Sequence, residues 1–287
     1  MTFETLVTCE QLAKHPQWRV FDCRHELASP NAGERAYEAG HIPGALHAHL
    51  DRDLASPPTG HNGRHPLPDP VAFLHWLGHC GVRKDDQVVV YDAGEGAFAA
   101  RLWWLLRAVG HKAVAVLDGG FARWQALALP VSTDKPAVTE IAPTIYAGQW
   151  QPAIVNVAAV QANLTAREFL VLDARGANRY AGRDETIDPA GGHIPGAYNR
   201  PYTTNLQDGR FKSPEVLRDE FETLLSDTGF GADQIVNQCG SGVTACHNVL
   251  AMEIAGLQGS RLYPGSWSEW CGDPARPVAT GPEPASL

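Results

Sequence analysis

Gly40-His41-Ile42-Pro43-Gly44-Ala45 returns 152 residues later as Gly192-His193-Ile194-Pro195-Gly196-Ala197. The likeness extends in both directions. Upstream, Val20-Phe21-Asp22-Cys23-Arg24 matches Val171-Leu172-Asp173-Ala174-Arg175 at an offset of 151. Downstream, Asp118-Gly119-Gly120-Phe121-Ala122-Arg123-Trp124 parallels Pro264-Gly265-Ser266-Trp267-Ser268-Glu269-Trp270 at an offset of 146. Three matches in one order at nearly constant spacing mean a duplicated domain. The length agrees: 287 residues is close to twice the roughly 150 of one typical domain.

Each half alternates short apolar runs with helical patterns. The first half reads as strands at 19–22, 88–91 and 113–117, with helices at 70–79 and 98–109. The second reads as strands at 170–173, 235–237 and 261–263, with helices at 214–225 and 244–255. Continuous apolar strands alternating with helices imply a parallel α/β sheet covered on both faces. Residues 130–150 carry Pro130, Pro136 and Pro143 with little periodicity and read as a linker. The expected organisation is therefore a domain at 1–135, a linker at 136–150 and a second domain at 151–287.

Hydrophobic residues make up 44% and charged residues 19%, which excludes a disordered or fibrous chain. No run approaches the roughly 18 apolar residues of a membrane span. The opening Met1-Thr2-Phe3-Glu4-Thr5-Leu6-Val7-Thr8 has neither a basic n-region nor a long apolar run, so no signal peptide is expected, and the expected compartment is the cytoplasm. A formal charge of −9 and a pI near 5.7 argue against nucleic acid or an anionic membrane as partner.

The six cysteines, Cys9, Cys23, Cys80, Cys239, Cys246 and Cys271, show no C-x-x-C spacing, so neither a zinc knuckle nor a disulfide framework is suggested. In a reducing compartment each is inert core or a reactive thiol. His61 and His65 stand four apart, a helical metal-ligand spacing, but Gly60, Gly63 and Pro66 argue against a helix there. No metal and no other cofactor is expected. Trp103-Trp104 in an apolar helix reads as core.

The informative stretch is Ile235-Val236-Asn237-Gln238-Cys239-Gly240-Ser241-Gly242-Val243-Thr244-Ala245-Cys246. An apolar strand runs into a cysteine, a glycine-spaced turn and a helix. The glycines let backbone N–H groups converge on one point, and the helix adds the positive end of its dipole. Such a place stabilises a sulfur anion. Cys246, two helical turns on, reads either as a resolving cysteine or as a packing thiol.

The duplicated halves, the repeated His-Ile-Pro-Gly-Ala segment and Cys239-Gly240-Ser241-Gly242-Val243-Thr244 resemble the two-domain rhodanese superfamily, with a loop like that of its 3-mercaptopyruvate sulfurtransferases. The resemblance covers essentially the whole chain. It implies two tandem rhodanese domains, the C-terminal one holding a cysteine that cycles between thiolate and persulfide. Gly240, Gly242, Val243 and Thr244 become the donor-binding loop. Asp92, in register with Cys239, cannot attack sulfur, so the N-terminal domain is expected to be catalytically silent. His41 and His193 recur in both halves, the silent one included, which favours a fold role.

Other positions follow from the resemblance one at a time. Arg179 matches the arginine that grips the donor's anionic group, against the alternative of a surface salt bridge. Asp51 and His65 match residues of an acid–base relay to the loop serine, Ser241, which could otherwise be only a small residue that fits. The second substrate arginine falls at a position occupied here by Thr186, and Arg183 is the nearby substitute.

The expected activity is transfer of a sulfane sulfur from 3-mercaptopyruvate through Cys239 to an acceptor thiol, such as that of thioredoxin, or to cyanide. The alternative donor is thiosulfate. Thiosulfate enzymes of this kind place Arg and Lys directly after the cysteine, and Gly240 and Ser241 stand there instead. A phosphatase needs an arginine six residues after the cysteine, where Ala245 lies. A non-catalytic sulfide-sensing or interaction module is the remaining class, and the intact cysteine loop argues against it.

Overall fold

The structure, a computed structural model, describes residues 2–142, 149–150, 154–226 and 228–284. The chain forms two compact units. One comprises Met1–Ser56, Leu67–Gln151 and Asp208–Phe211; the other comprises Pro57–Pro66, Pro152–Gln207 and Lys212–Leu287. Of the expected linker, 143–148 lie outside the described residues. Its other described parts belong to the first unit: the Ile141 N–H donates to Gly78 O at 3.0 Å, and the Trp150 ring lies 5.8 Å from that of Phe73.

The first unit is built on a parallel sheet in the order Leu6–Val7, Val114–Leu117, Val88–Tyr91, Arg19–Asp22, Leu46–His47. The second repeats the last four strands of this order: Arg261–Leu262, Ile235–Gln238, Leu170–Asp173, Tyr198–Asn199. Val88–Tyr91 and Ile235–Gln238 are buried at every position. Val88–Tyr91 accordingly reads as a continuous apolar run rather than an alternating one, whereas the second strand ends in the buried polar residues Asn237 and Gln238. Helices flank both sheets, as the alternation predicts.

The helices Pro70–His79 and Pro214–Leu225 begin where they were expected. Proline occupies the first turn, where its missing N–H costs nothing, and Asp69 and Ser213 accept the N–H groups of Ala72 and Val216. The helices expected at 98–109 and 244–255 run Ala99–Ala108 and Ala245–Ile254. The edge strands Leu6–Val7, Leu46–His47 and Tyr198–Asn199 are two residues long, too short to leave a periodic trace.

The repeated motifs form one brace, built twice. Asp22 pairs with Arg24, whose Nη2 also donates to Gly40 O at 2.7 Å; Asp173 pairs with Arg175, whose Nη2 donates to Gly192 O at 2.7 Å. The Arg24 guanidinium covers the Phe121 ring at 4.3 Å, and that of Arg175 covers Trp267 at 4.5 Å. His41 stacks on Tyr37 and bonds Tyr37 O through Nδ1; His193 does the same with Tyr180. The two tyrosine hydroxyls donate to Ala45 O and Ala197 O. Both histidines are fully buried, so the repeated His-Ile-Pro-Gly-Ala is a structural turn, tied to the start of each sheet by Asp-x-Arg.

Arg175 is nearly inaccessible, at 1% side-chain exposure against 10% for Arg24. Arg175→Leu leaves the Asp173 carboxylate and Gly192 O buried without their partner, which costs on the order of 3–5 kcal/mol. Arg24→Leu, with water nearer, costs less. Urea denaturation of the two variants side by side checks the order.

Candidate active site

The site lies at the C-terminal end of the strand Ile235–Gln238, and the first unit shows what its loop is built to hold. At the end of Val88–Tyr91, Asp92 is 3% exposed. Its Oδ1 accepts the N–H groups of Gly94 and Gly96, and its Oδ2 those of Phe98 and Ala99, at 2.9–3.2 Å. The first unit thus carries its own anion inside a nest of backbone donors. Burial pushes the Asp92 carboxyl up while the four N–H groups pull it down.

Cys239 stands where Asp92 stands. Its thiol takes no part in satisfying the loop: the N–H groups of Ser241, Val243, Thr244 and Ala245 have no acceptor among the described residues. The ten-residue helix Ala245–Ile254 starts directly after, and Thr244 at its N-cap makes no side-chain cap. An open nest and a helix N-terminus therefore converge beside a buried sulfur, 2% exposed. Gly242 makes the turn possible. Its φ is +75°, and a Cβ there would lie 2.3 Å from Pro264 O.

Ser266 fixes the other side of Cys239. Its hydroxyl accepts the Cys239 N–H at 3.1 Å and donates to Tyr263 O at 2.9 Å. Its φ of +54° is the left-handed region, where a serine is strained. The corresponding residue of the first unit is Gly120, at φ +53°. Sequence reasoning missed Ser266, although the third repeat match sets it against Gly120. Cys246 is fully buried with its Sγ 3.3 Å from Gly242 O, which ties it to the loop backbone as a packing thiol would be.

Ser241 is the loop residue with a side-chain partner. His65 Nδ1 and Ser241 Oγ share a hydrogen bond of 2.7 Å. His65 comes from the first half of the sequence, but its segment Pro57–Pro66 belongs to the second unit. Asp51 lies in the first unit on Leu50–Asp53, exposed, its N–H donating to His49 Nδ1 at 3.2 Å.

Arg179, on the short helix Ala177–Tyr180, donates through Nε to Glu185 and through Nη2 to Asp188, both at 2.8 Å. Arg64 also pairs with Asp188, through Nη1 and the other carboxylate oxygen. Both guanidiniums come down on Gly240: a Cβ there would fall 2.8 Å from Arg64 Nη2 and 3.6 Å from Arg179 Nη1 and Nη2. Burial pushes the Asp188 carboxyl up, with Arg64 opposing. Burial works the same way on Glu185, but the hydrogen bond and charge of Arg179 together with the N–H groups of Ile187 and Asp188 outweigh it and hold that carboxyl below its usual value. Arg183 is exposed, with its N–H on Asn178 O, and Thr186 is exposed too. Sequence reasoning missed Arg64, which sits beside His65 in Gly63-Arg64-His65-Pro66.

His25, His49 and Asp51 place a ligand atom each within 4.8 Å of one another in the first unit. His49 Nδ1 accepts the Asp51 N–H, so its Nε2 carries the proton and offers a metal no lone pair while that bond holds.

The rhodanese-like domain family matches the chain twice, at residues 5–127 and 156–273. The chain belongs to the rhodanese family. It is 47% identical over 288 residues to a Pseudomonas aeruginosa protein named "Probable 3-mercaptopyruvate sulfurtransferase", covering 98% of this chain and 100% of that one. It is 34% identical over 264 residues to the thiosulfate sulfurtransferase of Rattus norvegicus, covering 89% and 85%. Among solved structures it matches the 3-mercaptopyruvate sulfurtransferase of Leishmania major with a TM-score of 0.83 at 31% identity, over 94% of this chain and 74% of that one. This rhodanese is an enzyme of the sulfurtransferase type. No helix among its described residues is long and apolar enough to cross a membrane.

Four other thiols of the chain are poor nucleophiles by environment. Burial pushes Cys9 and Cys271 to about 11 and Cys80 to about 12, and Cys23 well above its ordinary value. At pH 8 a thiol of pKa about 11 is ionised to roughly one part in a thousand, and only the thiolate reacts. Iodoacetamide at pH 8 therefore modifies Cys239 first, as peptide mass mapping over time reads. In the first unit, Asp92→Ala strips four N–H groups, those of Gly96 and Ala99 buried, of their acceptor and costs on the order of 3 kcal/mol. Chemical denaturation measures it.

Proposed function

We propose that this sulfurtransferase takes its sulfur from 3-mercaptopyruvate, carries it as a persulfide on Cys239, and passes it to a thiol or to cyanide. The observation that carries the reading is the 2.7 Å bond between His65 and Ser241, beside a cysteine in an open donor nest. The Cys239 thiolate attacks the donor's sulfur, the S–S bond forms, and the C–S bond breaks with its electron pair on carbon. That carbon leaves as the enolate of pyruvate and needs a proton. Ser241 Oγ is the group to give it, with His65 restoring the proton to Ser241. The loop N–H groups meet the negative sulfur throughout. In the second half-reaction a thiolate or cyanide attacks the outer sulfur and Cys239 leaves as thiolate.

Asp51 remains the proposed third member of the relay on the resemblance alone. The first unit is proposed to be catalytically silent, because its nest is filled by Asp92. Arg179 is proposed to bind the donor's carboxylate, with the backbone of Gly240, Gly242, Val243 and Thr244 around the sulfur. Six cysteines without a disulfide among them suit a reducing compartment, the cytoplasm, and thioredoxin is a fitting acceptor there.

Thiosulfate is the second reading, favoured by the two guanidiniums at Gly240. The two donors differ in what leaves. Sulfite departs as a stable anion and needs no proton, whereas the enolate carbon does. His65→Ala therefore lowers kcat/KM for 3-mercaptopyruvate by about tenfold more than for thiosulfate. Equal losses on both donors assign His65 to shaping the site only. Cys239→Ser abolishes transfer from either donor, and intact-protein mass spectrometry after donor treatment shows the gain of one sulfur, about 32 Da, on Cys239. A persulfide on another cysteine refutes the assignment.

A further inference from the structure

We propose that Arg64 is the second anion-binding arginine of the donor site, filling the role that the chain leaves open at Thr186. The proposal rests on the sulfurtransferase reading of Cys239 and adds to it a specificity-determining residue.

Arg64 is held in place from both sides. Its own N–H donates to Ser268 Oγ at 3.0 Å. Before it, Gly63 at φ +81° lies so close to Gly265 O that a Cβ would fall 2.6 Å away. After it, His65 is bonded to Ser241. The backbone is thus fastened where the guanidinium reaches Gly240, and a single carboxylate, Asp188, clamps one nitrogen of Arg64 and one of Arg179 on its two oxygens. Arg64 Nη2 and Arg179 Nη1 are left facing Gly240 with no partner among the described residues. Two guanidinium edges meeting over a residue without a side chain form a fork for a carboxylate.

The charge count sets the ligand class. Arg64 and Arg179 are balanced by Asp188 and Glu185. The fork therefore recognises its ligand by directed N–H donors rather than by net positive charge, which suits the single carboxylate of an α-keto acid. Asp188 is the positioning residue that holds the two edges together.

Steady-state kinetics of Arg64→Gln, Arg64→Lys and Arg179→Gln with 3-mercaptopyruvate and cyanide test the assignment, together with calorimetric titration of pyruvate into each variant carrying Cys239→Ser. Arg64→Gln is expected to raise KM about tenfold with kcat within about twofold, and to weaken pyruvate by a similar factor. Arg64→Lys, which keeps the charge but not the fork, is expected to fall between. An unchanged KM in Arg64→Gln beside a raised one in Arg179→Gln overturns the proposal, as does a lowered kcat at constant KM. If 3-mercaptopyruvate forms no persulfide on the unmodified protein, the donor reading fails separately, and the pyruvate titration decides Arg64 alone. Equal pyruvate affinity with and without Arg64, or no binding to either, overturns it.

Discussion

Backbone N–H groups that converge at the end of a buried parallel strand need a negative partner, because left unpaired away from water each costs free energy. The chain meets that requirement in two ways with one loop design. In the first unit the partner is built in: the Asp92 carboxylate spreads its two oxygens over four donors. In the second, a cysteine replaces the aspartate and the donors stay open. A loop that is self-satisfied is a structural plug. The same loop with a polarisable, ionisable sulfur and vacant donors can hold an anion that comes and goes, which a sulfur relay requires.

The duplicated braces serve that arrangement. Each Asp-x-Arg pair is buried next to the central strand and reaches a glycine carbonyl at the start of the His-Ile-Pro-Gly-Ala turn. The turn's histidine is in turn stacked on a tyrosine whose hydroxyl closes the other end. Buried ion pairs of this kind stabilise little on balance but are strongly destabilising when halved. They hold the register of strand and turn in both units, and in the second unit Arg175 also lies 3.8 Å from Glu185, the partner of Arg179. The structural brace and Arg179 are therefore neighbours in one network.

The fold was legible in the repeat, because a duplicated core must repeat its buried polar devices as well as its apolar strands. Val88–Tyr91 could be read from its continuous apolar run, Ile235–Gln238 in part from Ile235 and Val236 ahead of the cysteine loop, and the helices at Pro70 and Pro214 from their caps. The two-residue edge strands could not, since a period needs more than one repeat to be seen. Within the site, Cys239 and Ser241 were legible from local sequence. Arg64 and Ser266 were not, for different reasons. Arg64 reaches the loop from 175 residues earlier in the chain, through a segment that packs with the second unit. Ser266 acts through a left-handed backbone that serine rarely adopts, and propensity gives no hint of it. The loop itself carries no cation, as its sequence shows, and two guanidiniums, those of Arg64 and Arg179, stand over Gly240.

Those two cations do not by themselves make a site for a doubly charged donor. Asp188 takes one nitrogen from each arginine, and Glu185 takes the Nε of Arg179. A dianion approaching this cluster meets charges already matched, in a place where Asp188 and Glu185 repel it. It would have to displace a carboxylate from its bonds to gain a net cation. A monoanionic α-keto acid has no such need, because one carboxylate can occupy the two unpaired edges and leave the ion pairs intact. In the proposed mechanism its reacting end then lies with Cys239, while the proton its carbon must acquire is within the Ser241–His65 pair. In that mechanism, charge neutrality at Gly240 and a proton source at Ser241 thus point to the same donor, and neither alone would do so.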